Sequence, residues 1–515
     1  MDFADAAKEV ADAAKVVAAR TTTWNGAASH ASTASARVDL FAGVLRGTDP
    51  ARIEALVAAS FAEDPLHTLK IVAYLRDIRG GKGERDAARV ALRCLATLAP
   101  EALAVNLAHY AGVYGRYDDL LTFLGTPLEG PSLDVLADQL RADLAALESG
   151  ATPVSLCAKW VPSEKRKADK QSRATSKIAK RMQLTCAQLR KGYLSPLRAH
   201  LKLLERHMCA KDWDKIEFDK VPSVAMHIHG KPGHAFQRHL PEAFASWKAS
   251  LQTGATKVNA AALFPHQVVG RYFGPYDAMM TDVDELVEAQ WRVLVDHARS
   301  LGTLSRTLVM ADVSGSMSGL PMMVSLALGI LVSEVATDAY KDLVLTFHET
   351  PSFFRITGDT LLTKIQSLAA APWGGSTDFL AALRLVIGLG QQRQLTSEQM
   401  PQKLLVVSDM QFNEADGASY ETNYEALVRE FAAAGYAVPQ VIFWNVNGAV
   451  TDFPTLGSQA DVALISGYSP SVMKAALLGT STSPLQTMLN AILDARYDLI
   501  RLPITDREDE DLELV

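Results

Sequence analysis

The sequence has few cysteines, no unbroken hydrophobic run of bilayer-spanning length and, in its first half, hardly any strand-like alternation. Its four cysteines, Cys94, Cys157, Cys186 and Cys209, are widely spaced with no C-x-x-C pair. That argues against a zinc knuckle or a disulfide framework and fits a reducing compartment. The longest apolar segment, "LPMMVSLALGILVSEVA" (320–336), is interrupted by Ser325, Ser333 and Glu334, short of the ~20 clean apolar residues a bilayer span needs. The start, "MDFADAAKEVADAAKVV", carries acids where a secretory signal needs bases and lacks an apolar core, so no signal peptide is expected. A Walker phosphate loop is missing as well, because Lys82 in "RGGKGER" is followed by glycine outside the Gly-x4-Gly-Lys frame. Nothing sets a serine or cysteine nucleophile at a strained elbow. These gaps lead to a soluble cytoplasmic protein without a catalytic centre.

What remains is long and patterned. At 515 residues the chain exceeds one ordinary core, so two or three units are expected. Its 48% apolar and 21% charged residues are those of a globular protein. From about Asp39 to Leu301, segments such as "RIEALVAASFAED", "PLHTLKIVAYLRDIR" and "ERDAARVALRCLATLA" repeat apolar residues every three or four positions, the signature of amphipathic helices. Short turns between them, "RGGKGER" and "YGRYDD", suggest stacked helical hairpins in an arc or ring, although no strict repeat period is visible. Beyond Leu301 the pattern changes to short apolar runs alternating with helices: "RTLVMADV", "DLVLTFH", "KLLVVSD", "PQVIFWNV" and "DVALIS". Such runs are buried parallel strands covered by helices on both faces. The expected fold is α plus α/β: an N-terminal helix or tail (1–20), a helical-repeat domain (21–302), a doubly wound α/β domain (303–502) and an acidic, solvated tail (503–515).

Ligands of open α/β sheets collect at the carboxyl ends of the strands, and three loops there carry unusual polar content. Asp312-Val-Ser314-Gly-Ser316 follows the strand "TLVMA", "WGGSTDF" offers Ser376, Thr377 and Asp378 ahead of a helix, and "VVSDMQF" puts Asp409 at a strand end. Two acids and three hydroxyls make an all-oxygen cage suited to a hard ion such as Mg²⁺. Residues 312, 314 and 316 point one way if the turn stays extended, and Gly315 gives the backbone room to bend. With so few charges donated, the ion keeps an electrophilic position for a partner's carboxylate or for water. The plain alternative is that each Ser and Asp caps a helix. A phosphatase with Asp312 as nucleophile is disfavoured, since Ser314 stands where a second acid is usual.

The net charge of −7 hides a local asymmetry. Between Lys159 and Lys191 there are eleven Lys or Arg against Glu164 and Asp169, a local net of +9. Such a patch attracts phosphates and releases counterions from nucleic acid, and Trp160 and Tyr193 flank it as stacking platforms. The candidate RNA contacts are Lys159, Lys165, Arg166, Lys167, Lys170, Arg173, Lys177, Lys180 and Arg181, with a second basic turn contributing Arg79, Lys82 and Arg85. Lys and Arg at 166, 170, 173, 177 and 180/181 recur at helical spacing and so are expected on one face. A solvated basic helix is the bland alternative. His227, His229, His234 and His239 lie close together in "MHIHGKPGHAFQRH", but without cysteine or regular spacing they do not read as a zinc site.

Asp-x-Ser-x-Ser after an apolar strand, then a Gly-Ser-Thr-Asp loop and a Ser-Asp strand end, resembles the metal-ion-dependent adhesion site of von Willebrand factor A domains. The five matching positions are Asp312, Ser314, Ser316, Thr377 and Asp409. The resemblance implies that the serines and the threonine contact the metal while the acids act directly or through water. Together with "LRDIRGGKGER" and "YGRYDDLL", this site resembles the Ro autoantigen family, in which a helical TROVE module precedes an A domain. A closer likeness is to the domain-of-unknown-function 2828 family, carried by "DPLHTLKIVAYLRDIRGGKGERD", "KWVPSE", "ERHMCAKDWDKIEFDKVPSVAM", "NAAALFPHQVV", "DVSGSM", "SDMQF", "FWNVNG" and "VALISGYSPSVMK". The likeness implies a HEAT-like ring or arc with an A domain, a bound divalent cation, and single-stranded or small structured RNA as partner. A protein-interaction adaptor that uses the metal and no nucleic acid is the alternative.

Overall fold

The structure is a computed structural model that describes residues 20–151, 153–274, 279–302, 304–346, 350–371, 378–414, 422–477 and 483–503. The chain forms two compact units that exchange segments. One comprises residues up to 52, 79–83 and 218–491, and the other 53–78, 84–217 and 492 onward. The partition in space therefore does not follow the sequence boundary at 302/303. Residues 218–302, helical in pattern, belong with the sheet, and the chain returns to the helical unit after 491.

The helical unit is built from amphipathic segments with strong start signals. In α1 (Pro65–Arg76), Asp64 accepts a hydrogen bond from the His67 N–H at 2.9 Å and Pro65 fills the first turn, where its missing N–H costs nothing. In α2 (Arg85–Leu98), Ala87, Ala88, Ala91, Leu92, Leu95 and Ala96 form one buried stripe. The "YGRYDDLL" turn closes around a buried carboxylate: Asp119 accepts from Arg76 Nε at 2.8 Å, Arg89 Nε at 2.7 Å and the Arg116 N–H at 2.9 Å. A Cβ at Gly115 would stand 2.5 Å from Asp119 Oδ2 and 2.6 Å from the Tyr110 carbonyl, so only glycine fits. Arg496 and the Tyr497 hydroxyl both donate to the buried Asp77, anchoring the returning C-terminal segment. The longest helix, α3 (Glu129–Ser149), is followed by α4 (Lys167–Ser172) and α5 (Ala174–Arg181). Arg173 sits between these two short helices in a left-handed conformation, φ 51°. Between 166 and 181 the basic stretch is thus two helices with a break, not the single face that its spacing predicts.

The sheet unit begins with a short antiparallel pair, β1 (Arg20–Thr22) and β2 (Ala28–His30). Its core is a six-stranded sheet of β3 (Thr307–Ala311), β4 (Leu343–Thr346), β5 (Ser352–Arg355), β6 (Lys403–Ser408), β7 (Gln440–Asn445) and β8 (Val462–Ser466). The order is β5-β4-β3-β6-β7-β8, parallel throughout except for β5. All five strands expected from the sequence are present. β5, a half-exposed edge of four residues, and the β1–β2 pair are too short for their patterns to register. Helix α6 (Leu320–Val335) lies close on β3, and a Cβ at Gly329 would reach 3.1 Å from Ala311 Cβ. From β3 the chain crosses outward to β4, and from β6 it crosses the opposite way to β7, so the carboxyl ends of β3 and β6 border the topological switch point. Among the described residues no helix is long and apolar enough to cross a membrane.

One core imidazole of this unit links burial to pH. His266, 7% exposed, stacks on Phe264 at 5.6 Å and meets Tyr468 edge-on at 5.3 Å. Its Nδ1 has no hydrogen-bond partner among the described residues. Burial, aided by Arg46 and His227, pushes it down to about 3. Between the unfolded value near 6.5 and that folded value, the unfolded chain binds the extra proton, so stability falls as pH falls. The loss is about 1.4 kcal/mol per pH unit. Denaturant unfolding of His266→Phe, which keeps a ring in the same space, should show a shallower acid slope than the wild type; parallel slopes would refute this.

Candidate metal centre and basic surface

Register places the first two functional groups. Ala311 pairs with Val407 across β3 and β6, and the Asp312 N–H continues the ladder to the Val407 carbonyl at 2.9 Å. The next residue of β6, Ser408, therefore lies opposite Asp312, and its hydroxyl donates to Asp312 Oδ2 at 2.6 Å. Asp312 Oδ1 accepts from the Ser314 N–H at 2.9 Å. Asp312, Ser314, Ser408 and Asp409 are all buried, whereas Ser316 is exposed.

The electrostatics are those of an uncompensated pair. Burial pushes Asp312 up to about 6, with the negative charge of Asp409 as the next cause and the Ser408 and Ser314 hydrogen bonds opposing. Burial raises Asp409 as well, while the Gln411 N–H, Ser316 and Asn447 draw it down. Asp409 Oδ1 accepts from the Gln411 N–H at 3.1 Å. Oδ2 is buried and meets no donor in hydrogen-bonding geometry among the described residues. The Ser314 and Ser316 hydroxyl oxygens are 3.0 Å apart, matching the edge of an octahedron with Mg–O bonds of about 2.1 Å, roughly 3.0 Å. An orphaned carboxylate oxygen, a second acid and two hydroxyls at that spacing fit a small oxygen-loving cation. Four of the five expected metal positions thus lie on the loops after β3 and β6. The fifth, Thr377, and its neighbour Ser376 lie outside the described residues. Asp378 has another job, because it caps the following helix by accepting from the Ala381 N–H at 2.8 Å.

The loop after β6 is held from the N-terminal segment, which sequence reasoning did not connect with the site. Gln411 Oε1 accepts from the Trp24 N–H at 2.7 Å, the Gln411 carbonyl accepts from Asn25 Nδ2 at 2.6 Å, and Gln411 Nε2 donates to Asp452 at 2.9 Å. Gln411 and Asn447 were missed as well, and Ser408 was read as part of the Ser-Asp strand end without a role of its own. Only Ser408 had a signal, as the residue one step past the last apolar pair of β6.

The basic candidates fall into distinct settings. Lys165, Arg166, Lys167 and Lys170 are exposed, as are Arg173 and Lys180. Lys159 pairs with Glu205 at 3.3 Å, Lys177 with Glu129 at 2.6 Å, Arg181 with Asp134 and Arg85 with Asp86. Arg79 is exposed, and its carbonyl accepts from Ser471 Oγ at 3.3 Å. Lys82 departs from the expectation. It is 2% exposed, and its ammonium donates to the Phe41 carbonyl, the Val44 carbonyl at 2.7 Å and Ser466 Oγ at 2.7 Å. Three donors meet three acceptors, so this lysine is a core strut that no phosphate reaches. Of the histidines, His229 packs on Phe236 at 5.8 Å, and His234 and His239 are exposed. Among the described residues no three His, Cys, Asp or Glu side chains gather to hold a metal.

Residues 23–131 and 133–304 match the family described as Domain of unknown function (DUF2828), and residues 306–492 match Domain of unknown function (DUF7788). The chain is also 32% identical over 504 residues to "Uncharacterized protein L728" of Acanthamoeba polyphaga mimivirus, a match covering 91% of this chain and 86% of the relative. The chain belongs to the DUF2828 family. In this DUF2828 protein the carboxylate pair lies within the stretch matched by the second family, and the basic stretch within the first.

The carboxylate pair is directly testable in divalent-free buffer. The rise of Asp312 to about 6 means that keeping it ionised at neutral pH costs on the order of 3 kcal/mol. Asp312→Asn should therefore unfold at higher denaturant than the wild type in EDTA, since the amide still accepts from Ser314 and Ser408 can reverse its hydrogen bond. A variant less stable than the wild type would contradict the repulsion.

Proposed function

We propose that the protein is a non-catalytic binding scaffold whose sheet unit is a von Willebrand factor A-type domain. Asp312, Ser314, Ser316, Thr377 and Asp409 hold a divalent cation there, with Mg²⁺ the best match to an all-oxygen, hydroxyl-rich cage. The single observation that carries this reading is the buried Asp409 Oδ2, left without a donor among the described residues beside a second buried acid. A cation supplies the missing positive charge, and because the protein donates mostly neutral oxygens, the ion keeps affinity for a carboxylate on a partner protein. Titration calorimetry should detect one ion per chain, and saturating Mg²⁺ should raise the unfolding midpoint by the linkage free energy, about 2.7 kcal/mol at one hundred times Kd. Asp409→Asn should erase both. Absence of heat and of any midpoint shift with Mg²⁺, Mn²⁺ and Ca²⁺ alike would end the proposal.

A second reading, RNA binding by a Ro-like, HEAT-like arc in the helical unit, is favoured by the exposed cluster Lys165, Arg166, Lys167 and Lys170. Phosphate contacts release counterions, so affinity for single-stranded RNA should fall steeply with salt. Neutralising those four residues to Gln should flatten the log–log slope by up to about 3, given roughly 0.7 per single-strand contact. No affinity at low salt would exclude this reading.

A further inference from the structure

A cleft of the helical unit has a volume of about 1080 Å³, just above the usual size of ligand clefts, roughly 300–1,000 Å³. One wall is the basic stretch itself: Lys159 to Ser163, then Ala168, Gln171 and Ser172 of α4. Trp160 lines it, and the Arg116 guanidinium stands 3.8 Å from the centre of its indole. Arg116 is fixed in turn by two hydrogen bonds to Asp118, at 2.9 and 2.7 Å. Arg198 spends its donors on the Ala158 carbonyl at 2.7 Å, the Val161 carbonyl at 2.6 Å and Ser163 Oγ at 2.9 Å. It therefore leaves a fixed positive charge in the wall. Five Lys or Arg side chains line the cleft against two carboxylates, Asp118 and Glu205. Free Cys209 lines it too and is exposed.

From this lining we propose that the cleft is the site where single-stranded RNA enters the helical unit, with a base stacked on Trp160 and backbone phosphates against the cations of the wall. The inference rests on the RNA reading above and adds the place and the manner of binding. Stacking suits this wall because every base has a π-face and the platform is held rigid by its cation. Lys159 and Lys177 exchange their present partners, Glu205 and Glu129, for phosphates. The exposed Lys165 to Lys170 cluster on the same stretch draws the strand in.

The test uses the intact protein and a short fluorescein-labelled oligouridine. Bound oligouridine should slow alkylation of Cys209, read site by site by mass spectrometry, while Cys94 and Cys186 react at unchanged rates. Trp160→Ala should weaken binding roughly 10-fold, and Trp160→Phe should restore most of it, which a merely misfolded variant would not do. If oligouridine binds with a salt-dependent affinity but leaves Cys209 alkylation and the Trp160→Ala affinity unchanged, the cleft assignment is overturned and the RNA reading survives. If nothing binds at low salt, both fall.

Discussion

Two buried carboxylates brought together with no compensating positive charge among the described residues are the constraint around which the sheet unit is arranged. Like charges in low dielectric repel strongly, and Asp312 carries that cost as a raised pKa. The sheet pays attention to this corner in its details. Strand order puts β3 beside β6, register sets Ser408 against Asp312, and Gln411 ties the loop after β6 to Trp24 and Asn25. Segments hundreds of positions apart thus converge to hold groups that, by themselves, destabilise their surroundings. Local destabilisation sustained by long-range packing is how binding sites differ from cores.

Other buried charges of the protein give the contrast that makes the corner informative. Lys82 has three donors and three acceptors. Asp119 receives two guanidinium groups and a backbone N–H, and Asp77 receives Arg496 and Tyr497. Removing one member of such a set strands a charge and costs about 3–5 kcal/mol. In each case the charge is fully answered by its neighbours, which is what a structural role requires. Among the described residues, Asp409 Oδ2 is not answered. The same chemistry, a buried ion, is therefore used in two ways, and counting donors tells them apart.

Much of this was legible in the sequence, and what was not follows from what a linear pattern can carry. Continuous apolar runs announced five of the six strands because helices cover both faces, and the hydroxyls and acids after β3 and β6 announced the corner, while the third expected loop follows a helix and its Ser376 and Thr377 lie outside the described residues. β5 escaped because four half-exposed residues leave no periodic trace. Lys82 was misplaced because a lysine in a glycine-rich turn looks solvated until its acceptors, one of them Ser466 far along the chain, are in place. The break at Arg173 was hidden since a left-handed residue needs no glycine when its neighbours hold it. The exchange of segments between the units depends on contacts between residues hundreds of positions apart, which composition and period cannot encode.

The basic stretch shows why a charge count is an upper bound on a binding surface. Of the nine candidates between Lys159 and Arg181, Lys159, Lys177 and Arg181 already pair with Glu205, Glu129 and Asp134. Pairs of this kind at the surface, partly open to solvent, contribute little to stability, about 0–1 kcal/mol, so they can be traded for a phosphate. Their weakness is useful: a cation fully committed to a buried carboxylate, like Arg76 with Asp119, is lost to binding, whereas one lightly held by a surface acid stays oriented and exchangeable. Around Trp160 the two kinds stand side by side, with Arg116 and Arg198 fixed and Lys159 and Lys177 replaceable. In the proposed RNA reading, that division, a rigid platform with an adjustable rim, would limit the entropy lost on capture of a flexible strand.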